Sequence, residues 1–109
     1  MVPRLPSDLR VWQPDTVITH AVMMKFTDPA DTTEAVERLL AMNGRIPQLL
    51  SLQVMADTLG RDGAYDLVLL STHDNEAGLI GYLEHPVHQD LLGWIRPRLA
   101  ARAVVDATS

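Results

Sequence analysis

The sequence predicts an α+β domain: a four-stranded antiparallel sheet in the order β-α-β-β-α-(α)-β, the split βαβ or ferredoxin-like arrangement. Three observations carry this. Four apolar or alternating runs of strand length are bounded by turn residues. Stretches with helical spacing follow the first and third of these runs. Between the second and third lies Gly60-Arg-Asp-Gly63, a strong hairpin signal.

Residues 1–16 carry Pro3, Pro6 and Pro14 with no hydrophobic period, and read as an extended N-terminal arm. Trp12 reads equally as packing on the body of the protein or on a partner subunit, and as part of a disordered tail. Residues 17–109 form the single folded domain. Val17–Phe26 is strand-like, β-branched at its start and closed by Thr27-Asp28-Pro29. Alternation places His20, Val22, Met24 and Phe26 on one face and Thr19, Ala21, Met23 and Lys25 on the other. Both faces are largely apolar, which predicts cover on both sides.

Asp31-Thr-Thr-Glu34 has the form of a capping box. Ala35, Val36, Leu39, Leu40 and Met42 continue it at helical spacing, and Asn43-Gly44 is a natural stop. Ile46-Pro47 turns into a second strand, Leu50–Thr58, and Tyr65–Thr72 is the third. Asp74 is placed to cap the next helix, with Glu76 in its first turn. Gly78 and Gly81 weaken that helix by roughly 1 kcal/mol each relative to alanine, which predicts a close approach on that side. Pro86 ends it and opens a short helix, Val87–Ile95, with His85 in the break as a capping turn residue. Ala100–Thr108 is the last strand, with Arg102, Val104 and Asp106 sharing a face.

A ferredoxin-like sheet keeps its helices on one face. The uncovered face is read as including residues such as His20, Val22 and Met24, and an apolar patch of that size calls for a partner, most simply a second copy about a two-fold axis. Composition narrows the function. A net charge of −5 argues against nucleic acid, which needs a basic face, and against anionic membrane surfaces. No apolar run reaches the roughly 20 residues of a membrane helix. The N-terminus lacks the apolar core of a signal peptide. With no cysteine in the chain, disulfides, thiolate metal sites and a cysteine nucleophile are ruled out, which fits a cytoplasmic protein.

Tyr82-Leu-Glu-His-Pro-Val-His88 concentrates two of the four histidines and one of the two tyrosines around a forced helix break. It is where chemistry on a small molecule is expected. The His-Pro-x-His spacing sets the two imidazoles on either side of that break, unlike the paired histidines of a zinc helix, so zinc is not expected. A hard ion on backbone carbonyls would leave no mark in the sequence, and no cofactor is expected.

These residues resemble the stress-responsive A/B barrel family, a branch of the dimeric α/β barrel superfamily, over about Val17 to Asp106. The matching stretches are Thr-His-Ala-Val-Met-Met-Lys-Phe at 19–26, Ile-Pro at 46–47 and Gly-Ala-Tyr-Asp-Leu at 63–67. Tyr-Leu-Glu-His-Pro-Val-His at 82–88 is the most specific, followed by Val-Val-Asp at 104–106. The resemblance implies a homodimer whose sheets pack face to face, each subunit keeping a pocket between its sheet and its helices. Here that pocket would be floored by His20, Val22 and Met24, with Leu69 beside them, and capped by Tyr82 and His88.

One branch of the family closes polyketide thioesters by aldol chemistry. There a tyrosine and a histidine at the positions of Tyr82 and His88 act, and an aspartate at the position of Asp106 orients the histidine. That branch has a further histidine where this chain has Leu67, and a more aromatic first helix where it has Arg38, Leu39 and Met42, so a different, more aliphatic substrate is implied. Histidine is a base near neutral pH, a phenol can donate to a developing oxyanion, and a carboxylate can fix the tautomer. Asp106 can equally be read as an ion-pair partner for Arg102 or Arg98. Two functions therefore stand: an acid–base cyclase or lyase on an apolar carbonyl compound, or a non-enzymatic dimeric binding module. The wider superfamily also holds cofactor-independent monooxygenases, of which the sequence carries no specific mark.

Overall fold

The computed structural model describes residues 17–108. The readings of the N-terminal arm and of Trp12 lie outside the described residues. The elements follow the expected order: β1 (Ile18–Phe26), α1 (Thr32–Leu40), β2 (Ser51–Ala56), β3 (Leu67–His73), α2 (Glu76–Glu84), α3 (Pro86–Ile95) and β4 (Leu99–Thr108). They form one antiparallel sheet of strand order β2-β3-β1-β4, so β1 is central and β4 is an edge.

Alternation is what places the helices. In β1 the buried residues are His20, Val22, Met24 and Phe26, and in β3 they are Leu67, Leu69, Ser71 and His73. The register sets Val22 beside Leu69 and Val104, which confirms a single helix-facing side. This corrects the expectation that His20, Val22 and Met24 lie on the uncovered face. That face is the other one, carrying Thr19, Ala21 and Met23 on β1, Val68 and Leu70 on β3, Met55 on β2 and Val105 on β4. Hydropathy could not separate two faces that are both apolar. The helices chose the face with the bulkier set, closing Leu39, Leu79, Tyr82, Leu91 and Ile95 over it.

Local signals at the helix starts were displaced by one to three residues. Asp31 makes no side-chain cap; it already has helical backbone angles (φ −72°, ψ −12°). Asp28 takes that role, its carboxylate accepting the Ala30 N–H at 3.0 Å. Pro29 explains the shift: its fixed φ suits the first position of a 3-10 turn, Pro29–Asp31, which runs straight into α1. Likewise Asn75, not Asp74, caps α2 through the Gly78 N–H at 2.9 Å. Asn75→Ala is expected to lower unfolding free energy by about 1 kcal/mol, while Asp74→Ala changes it little; chemical denaturation of both variants checks this.

The glycine readings hold where geometry requires them. Gly44, Gly60 and Gly63 all have positive φ, at 80°, 61° and 81°. A Cβ on Gly81 would sit 3.1 Å from the Gln48 side chain, the close approach that its cost to the helix implied. The helices stop short of β4: Arg102, Val104 and Asp106 all remain exposed on the helix-facing side. A cleft is left between that edge and the α2–α3 break.

Candidate functional site

The break after α2 creates the site. Pro86 has no N–H, so α2 cannot run through it, and His85 turns to extended geometry (φ −64°, ψ 138°). Its ring caps α3 as expected, with Nδ1 accepting the Val87 N–H at 3.1 Å. The Val87 N–H would otherwise have bonded the Leu83 carbonyl in a continuous helix. Freed of it, that carbonyl accepts from His88 Nδ1 at 2.9 Å and from Gln89 Nε2 at 2.6 Å.

A carbonyl only accepts, so His88 carries its proton on Nδ1 and presents Nε2 as a lone pair. Burial lowers the His88 pKa from its ordinary value; the Leu83 carbonyl opposes this, and His20, Arg96 and Arg102 add to it through their charges. The ring is therefore neutral at pH 7, with the basic nitrogen free of protein partners among the described residues.

Tyr82 is 1% exposed and lies tilted against His88, ring centroids 4.6 Å apart. On its other side His73 is 4.7 Å away, and His20 approaches edge-on at 6.1 Å. Burial pushes the Tyr82 phenol up to about 12, the neighbouring Ser71 side chain pulling weakly the other way. The phenol is thus a proton donor throughout the physiological range, never a base.

His73 and Ser71 form a buried pair that the sequence reading missed, because it ended the third strand at Thr72. His73 Nδ1 donates to the Gln48 carbonyl at 2.8 Å, which leaves Nε2 to accept the Ser71 hydroxyl at 2.9 Å. Burial lowers the His73 pKa, against a smaller opposing effect of the Gln48 carbonyl. The signal was present: Leu67, Leu69, Ser71 and His73 continue one alternation, and a serine and a histidine on an otherwise apolar face need internal partners.

Asp106 does not orient His88. Its Oδ1 lies 2.5 Å from His20 Nδ1. The register is the reason, since His20 and Asp106 are directly paired across β1 and β4 on one face. Nor, among the described residues, does Asp106 pair with an arginine: Arg98 lies over Trp94 and 3.9 Å from Asp31.

His20, Val22, Met24, Leu69, Tyr82 and His88 all line one cavity of about 260 Å³. Asp106 reaches it only through His20. Leu39 and the α3 residues Leu91, Leu92 and Ile95 complete an aliphatic wall. Among the described residues no three histidine or carboxylate groups converge as a metal site. No described helix is long and apolar enough to cross a membrane. The arrangement offers a proton acceptor at His88 Nε2 and a protonated phenol at Tyr82 in the lining of one largely apolar pocket.

A four-stranded sheet with helices on one face and a cavity between the layers defines a ferredoxin-like α+β domain that can hold a small molecule. The chain belongs to the stress responsive A/B barrel domain family, whose model matches residues 18–109. It is 33% identical over 78 residues to an uncharacterized protein of Streptomyces coelicolor, covering 67% of this chain and 80% of that one. Among solved structures it is similar to a dimeric ferredoxin-like protein of unknown function from Thermobifida fusca, with TM-score 0.78 and 26% identity over 91% of this chain and 96% of that one. The hydroxynitrile lyase of Passiflora edulis shares the fold, with TM-score 0.76 at 13% identity over 88% of this chain and 95% of that one.

Proposed function

We propose that this protein is a homodimer that binds a small apolar carbonyl compound in the cavity and acts on it by acid–base chemistry, as a cofactor-independent cyclase or lyase. The observation that carries this is the pairing of opposite roles on two adjacent rings that line one cavity. His88 offers an unprotonated Nε2, its tautomer held by the Leu83 carbonyl, and Tyr82 beside it keeps its proton. A base near neutrality can remove a proton α to a carbonyl, and a phenol can steady the resulting oxyanion. Asp106 enters as the residue that holds His20 at the cavity edge. The aliphatic wall favours an aliphatic or single-ring substrate. The cysteine-free composition fits a reducing, cytoplasmic compartment.

Dimerisation follows from the uncovered sheet face. Met23, Met55 and Val105 are 43%, 49% and 64% exposed there, around the half-buried Val68 and Leu70. A largely apolar exposed face of this kind favours a contact surface. The Thermobifida fusca relative is described as dimeric, which supports a second copy as the cover.

The catalytic reading is tested by α-proton exchange in deuterated buffer, using 2-octanone and S-octanoyl-N-acetylcysteamine as probes and following the signal by NMR. The unaltered protein should accelerate exchange, and His88→Ala and Tyr82→Phe should each lose about 100-fold or more of it. Exchange that survives both substitutions removes these residues from the chemistry. Binding of the probes without any exchange leaves a non-enzymatic binding module.

A further inference from the structure

Two arginines complete the cavity at its open side. Arg96 follows α3 in a 3-10 turn fixed by Pro97, and Arg102 stands on the helix-facing side of β4 opposite Met24. Both are exposed, both line the cavity, and both charges reach His88. Neither has a carboxylate partner among the described residues, whereas Arg38 is bonded to Glu34 and Arg98 is engaged by Trp94 and Asp31. In a chain of net charge −5, two guanidiniums at one apolar mouth with no carboxylate partner among the described residues are a local reversal of sign.

We propose that the ligand of this cavity is an apolar acid, its carboxylate held at the mouth by Arg96 and Arg102 and its hydrocarbon part lying against Val22, Met24 and Leu69. This rests on reading the cavity as a ligand site. Guanidinium groups suit a carboxylate because their planar donors match its two oxygens. The adjoining aliphatic wall limits the water that would otherwise screen the pair. The carboxylate already present does not compete. Asp106 is four residues from Arg102 along β4, roughly 13 Å away at the usual strand rise, and is held by His20.

Size sets the class of acid. A dry cavity of about 150 Å³ accepts benzene. At about 260 Å³ this one fits a single substituted ring or a medium aliphatic chain. With the carboxylate at the arginines, the carbons beyond it extend toward Tyr82 and His88, so the acid group serves as the handle and a second carbonyl is the reacting one.

The test compares octanoate, 1-octanol and octylamine, three probes of one chain length and different charge, by NMR titration of the isotope-labelled protein at pH 7.5. Octanoate should bind about tenfold more tightly than octanol, with octylamine weakest, as expected for charge-assisted bonds discounted for partial exposure. Arg96→Gln and Arg102→Gln should each weaken octanoate several-fold and leave octanol unchanged, which also shows that the variants remain folded. Added salt should narrow the gap between octanoate and octanol. Equal binding of octanoate and octanol overturns the proposal, as does a loss in the arginine variants that affects both probes alike. Octanoate preference without α-proton exchange upholds this inference and removes the catalytic reading. Exchange without octanoate preference does the reverse, and no binding of any probe sinks both.

Discussion

Met23→Glu combined with Leu70→Glu is expected to give a folded monomer at concentrations where the unaltered protein forms the proposed dimer. Both side chains project from the uncovered sheet face, Met23 between Val68 and Ala103 and Leu70 between Ala21 and Gln53. Neither belongs to the core that the helices close. In a face-to-face dimer the two-fold axis repeats each substitution, so four carboxylates would be taken from water into a largely apolar interface. An unpaired buried charge costs several kcal/mol, and each 1.4 kcal/mol is about tenfold in Kd. The dimer constant should weaken by roughly three orders of magnitude or more on that basis. Sedimentation velocity at micromolar concentration reads the mass, and far-ultraviolet circular dichroism reads the fold. A double variant that still sediments as a dimer places the interface elsewhere. An unaltered chain that is monomeric at 100-fold higher concentration removes the dimer altogether.

Stability should fall steeply as pH drops below about 6.5, and His73→Phe should flatten that fall. Burial holds His73 and His88 below their ordinary pKa in the folded chain. Between that lowered value and the unfolded value of 6.5, the unfolded chain binds more protons than the folded one. Unfolding free energy therefore rises with pH across this window and is fully present above it. Each histidine contributes at most about 1.4 kcal/mol per pH unit, and for a domain of this size two of them shift Tm by on the order of 10 °C per unit. The charged groups acting on His73 are His20, which lowers its pKa further, and Asp106, which opposes. On His88 they are His20, Arg96 and Arg102, all lowering it. Thermal melts from pH 5 to 8 at fixed ionic strength check this. His73→Phe also strands the Ser71 hydroxyl and the Gln48 carbonyl, a loss that is constant with pH. The readout is therefore the slope, and an unchanged slope would mean that His73 does not titrate between the two states.

Much of the site was legible because it is local. Tyr82, His85, Pro86 and His88 lie within seven residues, and a proline that lacks an N–H dictates what their backbone does. His85 as the cap of α3 needed no tertiary information. The partners were not legible. His20 and Asp106 are 86 residues apart, and only the β1–β4 register brings them together; with that pair formed, His88 takes its orientation from a backbone carbonyl instead of a carboxylate. His73 escaped notice because one more residue of strand decided whether it was core or turn. The alternation grouped Arg102 with Val104 and Asp106 on one face of β4, but that Arg96 lines the same cavity depends on where the turn after α3 leaves the chain.

By itself the sequence determined the order of elements, the hairpin, the helix break and the polar residues gathered around it, since each follows from backbone sterics and hydrophobic period over a few positions. Only the tertiary structure decided which apolar face of the sheet the helices cover, which carboxylate meets which imidazole, and that two arginines stand at the mouth of the cavity. Those outcomes depend on strand register and layer packing, which join residues far apart in the chain and leave no trace in any short window of it.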